Sequence, residues 1–257
     1  MQVHALLDTL TRYVDKELVG EIKVLYTSDL GFIDNYEKVK TEFPSAEWVW
    51  ESPGNFRSDV ISLLDTNCEY LSFLVDDILF FDWVDSRCLP SDDELCFSLR
   101  LGKNCEFSHP ANAFYSLPNI QESENTMSWE WPGSEYDFGY PMSLDGHVFR
   151  SGEISRMVRS VHFINPNSLE GSLAYVNPYL QHGYGTSKLM RSYNSSRMVG
   201  VPVNRVNTQN PNRFGEEYPF TETELNNLYT QGKRIWTEGM DFSSVNGPHK
   251  ELQYVFK

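Results

Sequence analysis

Two adjacent carboxylates, Asp76 and Asp77, interrupt the apolar run Phe73-Leu74-Val75-Asp76-Asp77-Ile78-Leu79-Phe80-Phe81. Burying unpaired charge between apolar flanks costs several kcal/mol, so something must neutralise the pair. A divalent cation does so, and hard oxygen ligands favour Mg2+ or Mn2+ over zinc. An Asp-Asp pair also serves as a helix cap or a solvent-facing turn, but the apolar sequence on both sides favours the cation. Two further acids stand out. Asp145, in Tyr140-Pro141-Met142-Ser143-Leu144-Asp145-Gly146-His147, precedes a glycine and then an alternating apolar stretch, which is either a tight turn or a substrate-facing one. Glu170 follows Asn165-Pro166, a helix-opening pair, and its position predicts an acid in a first turn, where the helix dipole favours the ionised form. His147 reads better as a structural histidine.

The elements that must position these residues alternate regularly. Leu6, Leu7, Leu10, Tyr13 and Val14 recur at helical period and predict an amphipathic helix over 3–18. Ile22–Tyr26 predicts a strand, Ile33 to Lys40 a helix closed by Phe43-Pro44, Trp48–Trp50 a second strand and Ser58–Leu64 a third helix. Tyr70–Val75, apolar on both faces, predicts a central strand. Alternation of this kind predicts a mainly parallel sheet with helices on both faces and sites at the carboxyl ends of its strands. Beyond residue 85 the texture changes. Ser91 followed by Asp92, Asp93 and Glu94 resembles a helix start, and 102–140 is rich in Gly, Pro, Asn and aromatics. Helices are expected over 152–160 and 166–175, a Pro-interrupted strand over 198–206, and a capping box at Thr221–Glu224 opening a helix to about 231. With neither an internal repeat nor a long linker, 1–257 reads as one domain.

The formal net charge of −15, from 36 acidic and 21 basic residues, repels a phosphate polyanion and argues against a nucleic-acid partner. No apolar run approaches the length of a membrane span. Asp8 breaks the stretch a signal peptide would need, so a cytoplasmic protein is expected. The four cysteines form no C-x-x-C pair and read as reduced, buried thiols. P-loop, G-x-G-x-x-G and G-x-S-x-G signatures are missing.

The segment FLVDDILFF resembles the metal-binding motif of nucleotide-sugar glycosyltransferases of the GT-A fold, and the resemblance is good over about 20–85 and loose elsewhere. It implies a GT-A-like, Rossmann-like α/β fold with a mixed, mainly parallel sheet flanked by helices, its nucleotide half at about 1–100 and its acceptor half at about 101–257. The implied donor is a nucleoside-diphosphate sugar, UDP or GDP type, the acceptor a glycan or other hydroxyl, and the cofactor Mn2+ or Mg2+. Asp77 would be the direct metal ligand and Asp76 a ribose or water-mediated contact. Asp29, in LYTSD, would face the base, and Arg57 would approach phosphate or Asp76. Asp145 and Glu170 would compete as the base of an inverting reaction, with Asp145 slightly ahead. His182 would be a third metal ligand. Lys188, Arg191, Arg197 and Arg205 would offer charge to the leaving diphosphate. In GT-A chains a strand precedes the first helix, whereas only MQV stands there; that strand is either cut from this sequence or supplied by another segment. Two other readings remain. A Mg-dependent phosphatase or hydrolase would need a nucleophilic Asp or a second metal cluster, and a non-catalytic carbohydrate-binding module using the six tryptophans would be expected as a β-sandwich.

Overall fold

The computed structural model describes residues 1–183, 187–204 and 213–257; the side chains of 176–183 lie outside the description. In chain order the elements are α1 (Gln2–Tyr13), β1 (Lys23–Tyr26), α2 (Ile33–Glu42), β2 (Glu47–Trp50), α3 (Phe56–Leu63), β3 (Tyr70–Ser72), β4 (Ile78–Phe80), β5 (Glu94–Ser98), β6 (Phe107–Ser108), β7 (Ala113–Phe114), β8 (Ile120–Glu122), β9 (Thr126–Glu130), β10 (His147–Arg150), α4 (Ser151–Ser160), α5 (Pro166–Gly183), β11 (Leu189–Tyr193), β12 (Met198–Gly200) and α6 (Glu222–Thr230).

The protein is a mixed α/β structure. A six-stranded sheet runs in the order β3-β10-β5-β11-β9-β8, with β4–β12, β1–β2 and β6–β7 as separate two-stranded pairs. The expected mainly parallel sheet is not what forms. Within the large sheet only β5 and β11 run parallel, and every other pairing is antiparallel. The parallel β1–β2 pair joins Lys23–Tyr26 to Glu47–Trp50 as the alternation predicts, yet it forms no ladder with Tyr70–Ser72. That third segment is the edge strand β3 and pairs only with β10. The central place belongs to β5, buried at all five positions. Its alternating side chains divide between two layers. Cys96 joins Met127, Trp129 and Met190 against Val60, Val158 and Leu169 of α3, α4 and α5. Phe97 joins Val148 and Tyr193 against Leu6 of α1 and Ile78 and Phe80 of β4. A strand covered on both faces needs apolar residues throughout, which explains the Leu95-Cys96-Phe97 run.

Local signals set several boundaries. The helix expected over 3–18 ends at Tyr13, because Val14 is extended and bridges Val84. Ser91 caps no helix: its N–H donates to Glu94 Oε2 at 2.9 Å in a turn that feeds β5. Thr221 and Glu224 do form the reciprocal capping box of α6. At the start of α5, Asn165 Oδ1 accepts from the N–H of Ser168 at 2.8 Å and Pro166 is the first helical residue. Among the described residues no helix is long and apolar enough to cross a membrane.

Candidate functional site

A cleft of about 950 Å³ opens where several chain segments meet, and Asp76, Asp77, Arg100, Tyr136, Asp137, Tyr140, Asp145, Glu170, Arg213 and His249 are among the residues that line it. Four of the acids singled out in the sequence therefore share one cavity. The Asp76-Asp77 turn links β3 to β4, and the Asp77 carbonyl accepts from the Val201 N–H at 2.9 Å, which ties the turn to the chain leaving β12. Asp76 is exposed to the cleft. Asp77 Oδ1 is buried and has no hydrogen-bond partner among the described residues. Burial, followed by the charge of Asp76, pushes the Asp77 carboxyl up to about 6. The protein walls around Asp76 likewise raise its carboxyl.

Asp145 is held at the turn before β10, where Gly146 takes φ +92° and lies so close to Met198 that a Cβ would collide with its side chain. Its carboxylate accepts from Arg100, from Ser143 Oγ and from His249 Nε2, the last at 3.0 Å. Burial alone would raise this carboxyl, but the Arg100 charge and the hydrogen bonds hold it well below the usual carboxylate range. Arg100, itself buried, bridges Asp145 to Asp137. His249 follows the turn Asn246-Gly247-Pro248 and packs over Gly200, where a Cβ would come within 2.7 Å of the imidazole Cδ2. Burial works against protonation of His249, and the bond and charge of Asp145 outweigh it, raising the imidazole above its ordinary value. Its Nδ1 is buried without a partner among the described residues.

Glu170 lies one residue beyond the first turn of α5, which contains no acid, so the dipole expected to favour its charge is not the controlling influence. Burial, then the nearby charge of Asp145, raises its carboxyl, while the Leu144 N–H, which donates to Glu170 Oε2 at 3.1 Å, and the neighbouring Tyr140 hydroxyl oppose the rise. Two acids in one cavity are thus driven in opposite directions. The counter-charge and hydrogen bonds of Asp145 favour its ionised form, and burial favours the protonated form of Glu170.

Other sequence expectations fall elsewhere. Arg57 does not reach the cleft or Asp76: it donates to the carbonyls of Val161 at 3.1 Å and Arg159 at 2.9 Å, joining α3 to the end of α4. Asp29 is exposed in the turn after β1 and is not among the cleft residues. Tyr26 at the end of β1 does stack on Tyr36, with centroids 4.9 Å apart, and burial and the charge of Asp76 push the Tyr36 phenol up to about 12, so this strand end adjoins Asp76. Arg191 donates to Glu94 Oε1 at 2.6 Å, and Arg197 pairs with Asp82 and covers the Tyr193 ring. Neither lines the cleft, and Lys188 does not either. Among the described residues the arginines that do, Arg100 and Arg213, are engaged by acids, Arg213 by Glu216. The His182 side chain and Arg205 lie outside the described residues. His147 is fully buried, both its ring nitrogens lack a hydrogen-bond partner among the described residues, and burial pushes it down to about 3.

Sequence reading missed His249, Arg100 and Asp137. The only local hint of His249 is the Gly-Pro turn before it, and nothing in the sequence ties a C-terminal histidine to an aspartate near residue 77. Among the described residues no three His, Cys, Asp and Glu side chains converge to hold a metal ion. Among the described residues that line the cleft, Asp77 Oδ1, Asp137 Oδ2 and His249 Nδ1 are buried without a hydrogen-bond partner. A comparison with protein-family models finds none that matches this chain, and a comparison with curated proteins finds no matching relative.

Proposed function

We propose that the protein is a metal-dependent glycosyltransferase of GT-A type, moving a sugar from a nucleoside diphosphate to an acceptor hydroxyl. The observation that carries this reading is the pair of buried, unpartnered donors, Asp77 Oδ1 and His249 Nδ1, in one cleft with a proton-accepting carboxylate, Glu170. A buried carboxylate oxygen without a partner is a costly arrangement that a cation relieves. The histidine suits the same purpose. In its neutral form, with Nε2–H donated to Asp145, His249 keeps its Nδ1 lone pair free for a ligand, the tautomer that a carboxylate behind a metal-bound imidazole selects. Asp77 and His249 would hold Mn2+ or Mg2+, and the His182 side chain that sequence reading nominated lies outside the described residues. The cation would supply charge stabilisation to the departing diphosphate.

The remaining residues divide the work. Asp76, beside Tyr36 and the end of β1, suits the ribose. Glu170 is the better base, ahead of Asp145, because a carboxylate held low by Arg100, Ser143 and His249 has little proton affinity, whereas one raised by burial has more. Asp145 is a positioning residue that fixes Arg100 and the His249 tautomer. A thermal-shift panel of UDP-, GDP-, CDP- and dTDP-sugars with and without Mn2+ tests the reading. One nucleotide sugar is expected to raise Tm only with the metal, since a ligand specific to the native state stabilises it by mass action. A panel with no metal-dependent shift defeats it.

A further inference from the structure

We propose that the mouth of the cleft carries a subsite for a pyranose ring, built from the Tyr136 ring and the Asp137 carboxylate; its assignment to the acceptor rests on the transferase reading, but its affinity for a sugar does not. Tyr136 is a non-glycine residue at φ +45°. The left-handed region is costly for a bulky side chain, and such strain persists only where the surroundings hold it. Here they do. Phe138 is fully buried and its carbonyl accepts from Trp129 Nε1 at 3.0 Å, Asp137 is bridged by Arg100, and Gly139 lies so close to the Ser134 carbonyl that a Cβ could not fit.

The outcome is an aromatic ring that is not used for core. Tyr136 lines the cleft and stays 45% exposed, with the Tyr115 ring supporting it at 5.4 Å and 33°. A flat, rigid, supported ring at low conformational cost suits the axial C–H face of a sugar. Next to it, Asp137 Oδ2 has no hydrogen-bond partner among the described residues, while Oδ1 is taken by Arg100. A carboxylate oxygen accepts, and the hydroxyl of a sugar is a donor that completes it. Apolar face and hydroxyl rim are the two surfaces of a pyranose, whereas an open-chain polyol lacks the flat apolar face. The Arg100 bridge also ties this platform to Asp145, so a ring seated here lies in the same cleft as Glu170.

The test uses methyl α- and β-glucopyranoside, galactopyranoside and mannopyranoside as probes, with the acyclic hexitol mannitol as control, titrated by NMR into the wild-type protein, Tyr136→Gly and Tyr136→Phe. Glycine adopts the same backbone without strain, so Tyr136→Gly removes the ring and keeps the fold; if circular dichroism shows otherwise, Tyr136→Asn, which also tolerates positive φ, replaces it. At least one pyranoside is expected to bind the wild type better than mannitol, to lose on the order of tenfold in affinity in the ring-less variant, and to keep it in Tyr136→Phe. No preference for a pyranoside over mannitol, or equal affinity with and without the ring, overturns the subsite. The nucleotide-sugar shift on the wild-type protein reports the transferase reading separately. Pyranoside binding without that shift keeps the subsite and removes its acceptor role, and the reverse pattern removes the subsite alone.

Discussion

Asp77→Asn is expected to stabilise the metal-free protein while abolishing its response to manganese. Burial first, and the neighbouring Asp76 charge second, raise this carboxyl from 3.8 to about 6 in the folded state. A raised acid contributes stability that is complete below the unfolded value and is lost as pH rises through the folded one. Above about pH 7 the ionised group therefore withholds about 3 kcal/mol from the fold, and near pH 4 only about half a kcal/mol of that penalty remains. The amide that replaces the carboxylate still lacks a partner, which offsets about 1 kcal/mol of the gain. The net, about 2 kcal/mol, corresponds to a rise of roughly 4–8 °C in Tm for a chain of this size. Calorimetric scans in EDTA from pH 4 to pH 8 read this directly, and a repeat with excess Mn2+ reads the ligand role. Wild type gains stability with the metal and the variant does not. A variant that melts below the wild type at pH 8, or a difference that fails to shrink towards pH 4, would show that Asp77 is not a strained anion. An undiminished manganese response would remove it from the cation site.

Glu170→Gln should lower turnover on the order of 100-fold with donor affinity near wild type, and in the wild type the rate should fall as pH drops through a value above the usual carboxylate range; full turnover in the variant would favour a retaining mechanism. Arg100→Met should destabilise the protein by about 3–5 kcal/mol in denaturant titrations, because it leaves Asp137 and Asp145 without their buried counter-charge, and a loss under 1 kcal/mol would contradict that balance. Gly200→Ala places a methyl against the His249 imidazole, so it should weaken the manganese-dependent shift at least as much as it lowers Tm; an intact shift would mean His249 does not hold the cation.

The local chemistry of this chain is written in its sequence. Thr221 and Glu224 cap α6 because both partners lie within one turn, and Asn165-Pro166 opens α5 for the same reason. The apolar flanks of Asp76 and Asp77 announce a charge that must be satisfied, and that pair lines one cleft with Asp145 and Glu170. Strand order was not legible. Helix–strand alternation implies a parallel sheet only if successive strands pair with one another. Tyr70–Ser72 instead pairs with β10, and β5, reached through an acidic turn that resembles a helix start, takes the centre. Nor were the roles of the acids. Asp145 and Glu170 are both carboxylates near turns, and only the tertiary contacts separate them: Arg100, Ser143 and His249 hold one low, while burial and the charge of Asp145 raise the other. His249 stands at the far end of the chain from Asp77. The two meet because the backbone leaving β12 bonds to the Asp77 carbonyl on one side and to the segment carrying His249 on the other, and pairings so distant in sequence leave no periodic trace to read.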